Sequence, residues 1–252
     1  MKKIFINIIY VALIIIFVIS IFFIIKDYYF NNNTQTKIEE LQKIMKNESD
    51  TNIAKTEVSP QIENFRKINE KNSNIVAWLE IEETEINFPV LQATNNNYYL
   101  TKDYNNKYNP NGSIFLDSNC NIQDQSQNLI IYGHNNNNGL MFNNLLKYKD
   151  KQYYEQHPKI KITTNTEIAT YTIIAVFESQ VYNQNQQDIF KYYNYTNFKD
   201  DSEYYNYINN CKKLSIYEIE SNINYREQLI TLSTCEYSKE NGRFVVLGIK
   251  EK

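Results

Sequence analysis

Apolar positions fall into three regimes along the chain, and each predicts a different kind of structure. The first is continuous. Residues 4–25 (IFINIIYVALIIIFVISIFFII) are apolar at 20 of 22 positions, interrupted only by Asn7 and Ser20. As a helix rising about 1.5 Å per residue, this segment reaches roughly 33 Å, enough to cross a hydrocarbon core of about 30 Å. A cleaved signal peptide has a shorter apolar stretch and a small-residue cleavage site. Here the run ends in Ile24, Ile25, Lys26, Asp27 and Tyr28. It therefore reads as an uncleaved transmembrane signal anchor, with residues 1–3 as a short tail. Lys2 and Lys3 on one flank face Lys26, Lys37 and Lys43 on the other, so charge alone assigns no orientation.

The second regime, residues 26–59, is polar. It includes IEELQKIMKN, which predicts a short helix over 38–47, and it reads as a stalk lifting the remainder off the bilayer. The third starts at Pro60 with a helical stretch, QIENFRKINEKN, ending near Asn72. Short apolar runs of strand length follow, bounded by Asn, Gly and Asp. They are IVAWLEI (75–81), INFPVLQ (86–92), SIFLD (113–117), NLIIY (128–132), KIKIT (159–163), ATYTIIAVFES (169–179), QLITLST (228–234) and RFVVLGI (243–249). Eight short strands with few helices between them predict a mostly β domain over 60–252, a closed or nearly closed barrel rather than a parallel sheet. Two helical patterns interrupt the strands. LMFNNLLKYKD (140–150) follows Gly139, and DSEYYNYINNCKKL (201–214) starts at an Asp201/Ser202 cap with Tyr204, Ile208 and Cys211 on one face.

Composition narrows the function. The 22 Tyr and 13 Phe supply enough ring area for one core. Net charge is −3, and −5 once Lys2 and Lys3 are set aside, with no Lys/Arg block. Nucleic acid is therefore not an expected partner. Three cysteines, Cys120, Cys211 and Cys235, are too few for a disulfide scaffold. Cys211 fits a small hydrophobe packed under its helix.

Three polar residues stand where apolar strands meet loops: Cys235 after QLITLST, Arg243 opening the next strand, and His134 one Gly after NLIIY. If the last two strands pair, Cys235 and Arg243 share one end of the pair. Such a trio suits acyl transfer. The thiolate is the nucleophile, and a neighbouring His takes its proton and later gives it to the leaving amine. A fixed cation stabilises the tetrahedral oxygen. Each residue also has an ordinary structural reading, as a buried strand-end Cys, a turn His or a strand-edge Arg. His157, in YYEQHPKI, reads as a connector, and no His/Cys spacing suggests a metal site.

At these residues the sequence resembles the sortases, cysteine transpeptidases of the Gram-positive cell surface. TLSTC (231–235) matches their TLxTC signature, YGHN (132–135) resembles the segment carrying their catalytic His, and RFVV (243–246) resembles the strand with their essential Arg. IVAWLEI, INFPVLQ and GSIFLD resemble their early strands. The resemblance spans roughly residues 60–252. It implies an eight-stranded sortase barrel anchored in the cell membrane with the domain outside and residues 1–3 cytoplasmic. The N-terminal helical stretch and the long helix-bearing insertion before QLITLST look most like class B. Carried over residue by residue, the resemblance makes Cys235 the nucleophile, His134 the general acid/base and Arg243 the oxyanion and substrate stabiliser. It also places Ser233 and Thr234 in the substrate pocket. Tyr182, at the start of the insertion, is a further candidate for substrate contact, whereas Glu236 reads as a loop charge. No metal or cofactor is expected. Sorting-signal-bearing surface proteins and an amine of peptidoglycan, or a pilin Lys, are the implied partners, besides the lipid bilayer around 4–25. A cysteine protease using the same trio and a tethered non-catalytic binding domain are the competing readings. The sorting motif and acceptor are not legible.

Overall fold

All eight apolar runs form strands, because each places bulky, often β-branched side chains between polar breaks. The computed structural model describes residues 2–46, 58–124, 126–136, 138–183, 185–186, 189–221, 223 and 227–252. The strands are β1 (Ile75–Glu80), β2 (Asn87–Leu91), β3 (Ile114–Leu116), β4 (Asn128–Gly133), β5 (Lys159–Thr163), β6 (Ile168–Gln180), β7 (Leu229–Cys235) and β8 (Gly242–Lys250). They close into a barrel in the order β1-β2-β3-β4-β7-β8-β6-β5, with β1 pairing β5. The β2–β3 and β4–β7 pairs are parallel.

Alternation along the strands sorts two cores. Ile230 and Leu232 of β7 and Phe244 and Val246 of β8 point into the barrel. Leu229, Val245, Leu247 and Ile249 point outward and are covered by the insertion between β6 and β7, through Tyr192, Phe198, Tyr204 and Tyr207. That insertion carries α4 (Asp201–Leu214). Its cap is Asp200, whose carboxylate accepts from the Glu203 N–H at 2.9 Å, one residue before the expected cap. Cys211 is fully buried on the inner face of α4, as its helical phase predicts.

Among the described residues, several helices differ from expectation. The 140–150 pattern yields a 3₁₀ helix, Phe142–Lys149, followed by a short α3 (Lys151–Gln156) that the sequence reading did not predict. The stalk is the larger correction. Instead of a polar stalk with only a short helix at 38–47, a single helix α1 runs from Lys2 to Lys46. Thr34, Ile38, Leu41 and Met45, spaced 4, 3 and 4 residues apart, form one buried face against the domain. Thr34 Oγ1 accepts from Asn109 Nδ2 at 2.7 Å, Lys37 pairs with Asp103 at 2.5 Å, and Gln42 Nε2 donates to the Asn87 carbonyl at 2.8 Å. The rest of the expected stalk, 47–57, lies outside the described residues. Helix α2 (Pro60–Lys71) ends at Asn72 as expected and is capped by Ser59.

Candidate active site

The parallel β4–β7 pairing puts Gly133 opposite Thr234, so the next residues, His134 and Cys235, leave adjacent strands at the same end. The antiparallel β7–β8 register pairs Cys235 with Arg243 directly. Three sequence-distant residues are thereby brought to one rim by strand register alone. All three are half-buried and line one cleft of about 440 Å³. Cys235 and Arg243 share the outward phase of their strands, so the β6–β7 insertion, through Tyr192 and Tyr193, walls the cleft beside them.

Each member is held differently. His134 Nε2 lies 2.7 Å from the Leu100 carbonyl oxygen. A carbonyl only accepts, so Nε2 carries the hydrogen and the lone pair of the neutral ring sits on Nδ1. Gly112 lets the 109–113 loop press on that ring. Its φ is +62°, and a Cβ there would sit 2.8 Å from His134 Cδ2 and 2.8 Å from the Leu100 and Tyr99 oxygens. Behind the ring, Asn135 Nδ2 donates to the Cys235 carbonyl at 3.0 Å, and Tyr237 donates to the Asn135 carbonyl at 3.0 Å. The histidine and cysteine loops are stitched together through these two bonds. Arg243 Nη1 donates to the Gly242 and Asn241 carbonyls at 2.8 and 3.3 Å. Among the described residues no carboxylate lies within ion-pairing distance of Arg243, so its positive charge is not neutralised by a protein partner.

The expected pocket residues divide. Ser233 and Thr234 are buried and border the cleft. Thr234 Oγ1 donates to the Gly133 carbonyl at 2.8 Å, locking β7 to β4, and Ser233 Oγ lies 2.6 Å from the Tyr192 hydroxyl. Tyr182 stands one residue beyond Val181, which does border the cleft, and its backbone N–H donates to the Tyr193 hydroxyl at 3.0 Å. Glu236 turns away from His134. Its carboxylate accepts from Ser238 and from Lys149 at 3.1 Å, and these contacts, Ser238 foremost, hold it below its ordinary pKa. It is buried rather than a loose loop charge.

Tyr192 carried no signal in the sequence, being one tyrosine among 22. Burial holds its hydroxyl protonated well above its ordinary range, so it serves as a hydrogen-bonding wall rather than a proton carrier. The other two thiols are buried. Burial pushes the Cys120 thiol up to about 12 and also raises Cys211. Of the three thiols, only Cys235 opens onto a cleft beside an imidazole and an unpaired guanidinium.

A family model described as the sortase domain matches residues 79–251. The chain is 32% identical to Sortase B of Listeria monocytogenes over 222 residues, 87% of this chain and 86% of that one. It is 29% identical to Sortase B of Staphylococcus aureus over 250 residues, 98% of this chain and 97% of that one. Among solved structures, the Staphylococcus aureus sortase B–substrate complex is similar with a TM-score of 0.73 at 26% identity, covering 90% of this chain and 99% of that one.

Proposed function

We propose the following reaction for this chain, which belongs to the sortase family of cysteine transpeptidases and is most similar to its class B members. Cys235 is the nucleophile, His134 the general acid/base and Arg243 the stabiliser of the oxyanion. The substrate is a surface protein bearing a C-terminal sorting signal, cleaved after Thr.

The thiol proton of Cys235 passes to His134, and Sγ attacks the Thr carbonyl carbon. Because Nε2 is committed to Leu100, Nδ1 is the ring nitrogen that takes this proton. Negative charge moves to the carbonyl oxygen, where the Arg243 guanidinium offers donors not engaged by its own turn. Collapse breaks the C–N bond, His134 returns the proton to the leaving amine, and a thioester remains on Cys235. An amine of peptidoglycan, or a pilin Lys, then attacks the thioester carbonyl carbon, and His134 takes the amine's proton. As the C–S bond breaks, His134 passes that proton to the departing Cys235 sulfur, leaving an amide and the free thiol. Tyr192 and Ser233 wall the acyl site.

The observation that carries this reading is the convergence of Cys235, His134 and Arg243 at one rim through the β4–β7 and β7–β8 registers. Residues 4–25 act as a single-pass anchor with the catalytic domain outside the cell. In support, every residue of the apolar stretch 4–25 is exposed, with none buried among the described residues. On this reading the anchor is residues 4–25, and residues 34–46, whose inner face is buried, are grouped with 60–252.

The test incubates the full chain in detergent with a library of sorting-signal peptides and an amine acceptor, reading products by mass. An amide joining the Thr-ended fragment to the amine is the expected product. Hydrolysed fragment alone would make the protein a cysteine protease, and binding without cleavage a tethered adaptor.

A further inference from the structure

The apolar stretch of α1 ends at Ile25 without a break in the helix. Tyr28 and Tyr29 follow, 72% and 63% exposed, and then Phe30. At about 1.5 Å per residue these three rings stand roughly 4–8 Å beyond Ile25, the depth of a headgroup layer some 5–8 Å thick. Aromatic side chains with one polar edge concentrate at that depth.

The catalytic domain meets the helix at the same height. Tyr108, 61% exposed, sets its ring edge-on to Phe30 with centroids 5.8 Å apart. Tyr104 and Asn105 share with Ile25, Tyr28 and Tyr29 a groove of about 550 Å³, so the groove opens at the last apolar residue of the span. The height is not adjustable by a flexible stalk. Asn31 Oδ1 accepts from Asn111 at 3.0 Å, Thr34 accepts from Asn109 at 2.7 Å and Lys37 pairs with Asp103, clamping the 103–111 loop to the helix.

We propose that the 103–110 loop and the adjoining face of α1 are seated in the phospholipid headgroup layer, with lipid headgroups filling the groove between Tyr28, Tyr29 and Tyr104. This rests on the reading of residues 4–25 as a membrane span. Charge is not the attraction. Lys26, Lys37 and Lys107 on this surface are balanced by Asp27, Asp103 and Glu40, so the contact depends on the aromatic residues and is insensitive to salt. The arrangement also holds the active cleft near the bilayer. Asn138, in the loop that follows His134, donates to Asn31 at 2.6 Å, only six residues, or about 9 Å of rise, beyond Ile25.

The test uses the full chain in phosphatidylcholine vesicles with Tyr108→Trp as a depth probe. Trp78 is fully buried in the domain, and its background emission is measured on the unsubstituted chain. A nitroxide on the lipid headgroup is expected to quench the added emission about twofold or more, and a nitroxide near the acyl-chain end to leave it unchanged. The effect should persist from about 0.1 to 1 M salt, over which the Debye length falls from about 10 to 3 Å. Phe17→Trp, inside the span, should be quenched by the deep nitroxide. Quenching at Phe17→Trp without headgroup quenching at Tyr108→Trp would overturn this surface while leaving the anchor intact. No deep quenching at Phe17→Trp would overturn the anchor and this surface with it. Loss of headgroup quenching in high salt would assign the contact to charge, contrary to the proposal.

Discussion

Replacing Arg243 by Lys keeps a positive charge at the rim but changes how many donors can be aimed at one point. In the structure Nη1 is already committed to the Gly242 and Asn241 carbonyls, at 2.8 and 3.3 Å. The planar fork therefore leaves Nε and Nη2 free for the oxyanion role proposed for Arg243. An ammonium has a single nitrogen, so anchoring it on the turn and aiming it at the oxyanion compete. Losing one oxyanion donor typically costs about 10²–10³ in rate, roughly 2.7–4 kcal/mol. Because charge is retained, the lower end applies, and Arg243→Lys should reduce kcat/KM about 10²-fold. The assay follows formation of the peptide–amine product alongside alkylation of Cys235 by a small iodoacetamide reagent. Turnover should fall while alkylation stays near wild type, since Cys235 and His134 are untouched. Near-normal turnover would reduce Arg243 to a generic positive charge. Equal loss of both would mean that Arg243 chiefly tunes the thiolate, and the oxyanion role would pass to backbone N–H groups near Cys235.

Three other expectations follow from the site. Gly112→Ala places a Cβ against His134 and two carbonyl oxygens at φ +62°. It should cost about 1–3 kcal/mol in denaturant unfolding and shift the His134 imidazole signals in NMR; unchanged signals with unchanged turnover would show that the loop yields freely. Tyr192→Phe leaves the buried Ser233 hydroxyl without its 2.6 Å partner and should cost about 1–3 kcal/mol, most of it recovered in the Tyr192→Phe/Ser233→Ala double variant; additive losses in the double variant would argue against the pairing. Glu236 is held below its ordinary 4.5 by Ser238 and then Lys149, so folding favours its ionised form. Its stabilisation is complete above that ordinary value and fades as pH falls through the lower folded one. Glu236→Gln should therefore lower Tm at pH 7 and flatten the acid limb of stability, and an unchanged limb would remove the carboxylate from the account.

The barrel was legible because a strand needs only a short apolar run between polar breaks, and runs such as KIKIT and QLITLST are delimited that way. What failed was continuity across polar sequence. Thr34, Ile38, Leu41 and Met45 form one helical face, but Asn31, Asn32 and Asn33 interrupt the pattern, and the partners that bury it are distant in sequence: Phe65, Ile68 and Leu91 beside Leu41 and Met45, and Asn109 beside Thr34. LMFNNLLKYKD reads as an α-helix because three- and four-residue spacings are hard to separate over so short a span; Met141, the residue just before the helix, takes φ +56°, and the helix that follows is 3₁₀. Asp200 and Asp201 are adjacent cap candidates, and only the bond to the Glu203 N–H decides between them. At the site, Cys235, His134 and Arg243 stood out because strand ends mark them. Tyr192 and Gly112 did not, since their roles depend on which distant residue they touch.

In the proposed reaction Cys235 carries the acyl intermediate. Trapping that intermediate on the full chain with a sorting-signal peptide, without acceptor amine, and mapping the modified residue by mass spectrometry puts this to the test. The thioester should map to Cys235 and vanish in Cys235→Ala, while Cys120→Ser and Cys211→Ser trap normally, since both of those thiols are buried away from the cleft. An acyl group on Cys120 or Cys211, or transpeptidation that survives in Cys235→Ala, would contradict it.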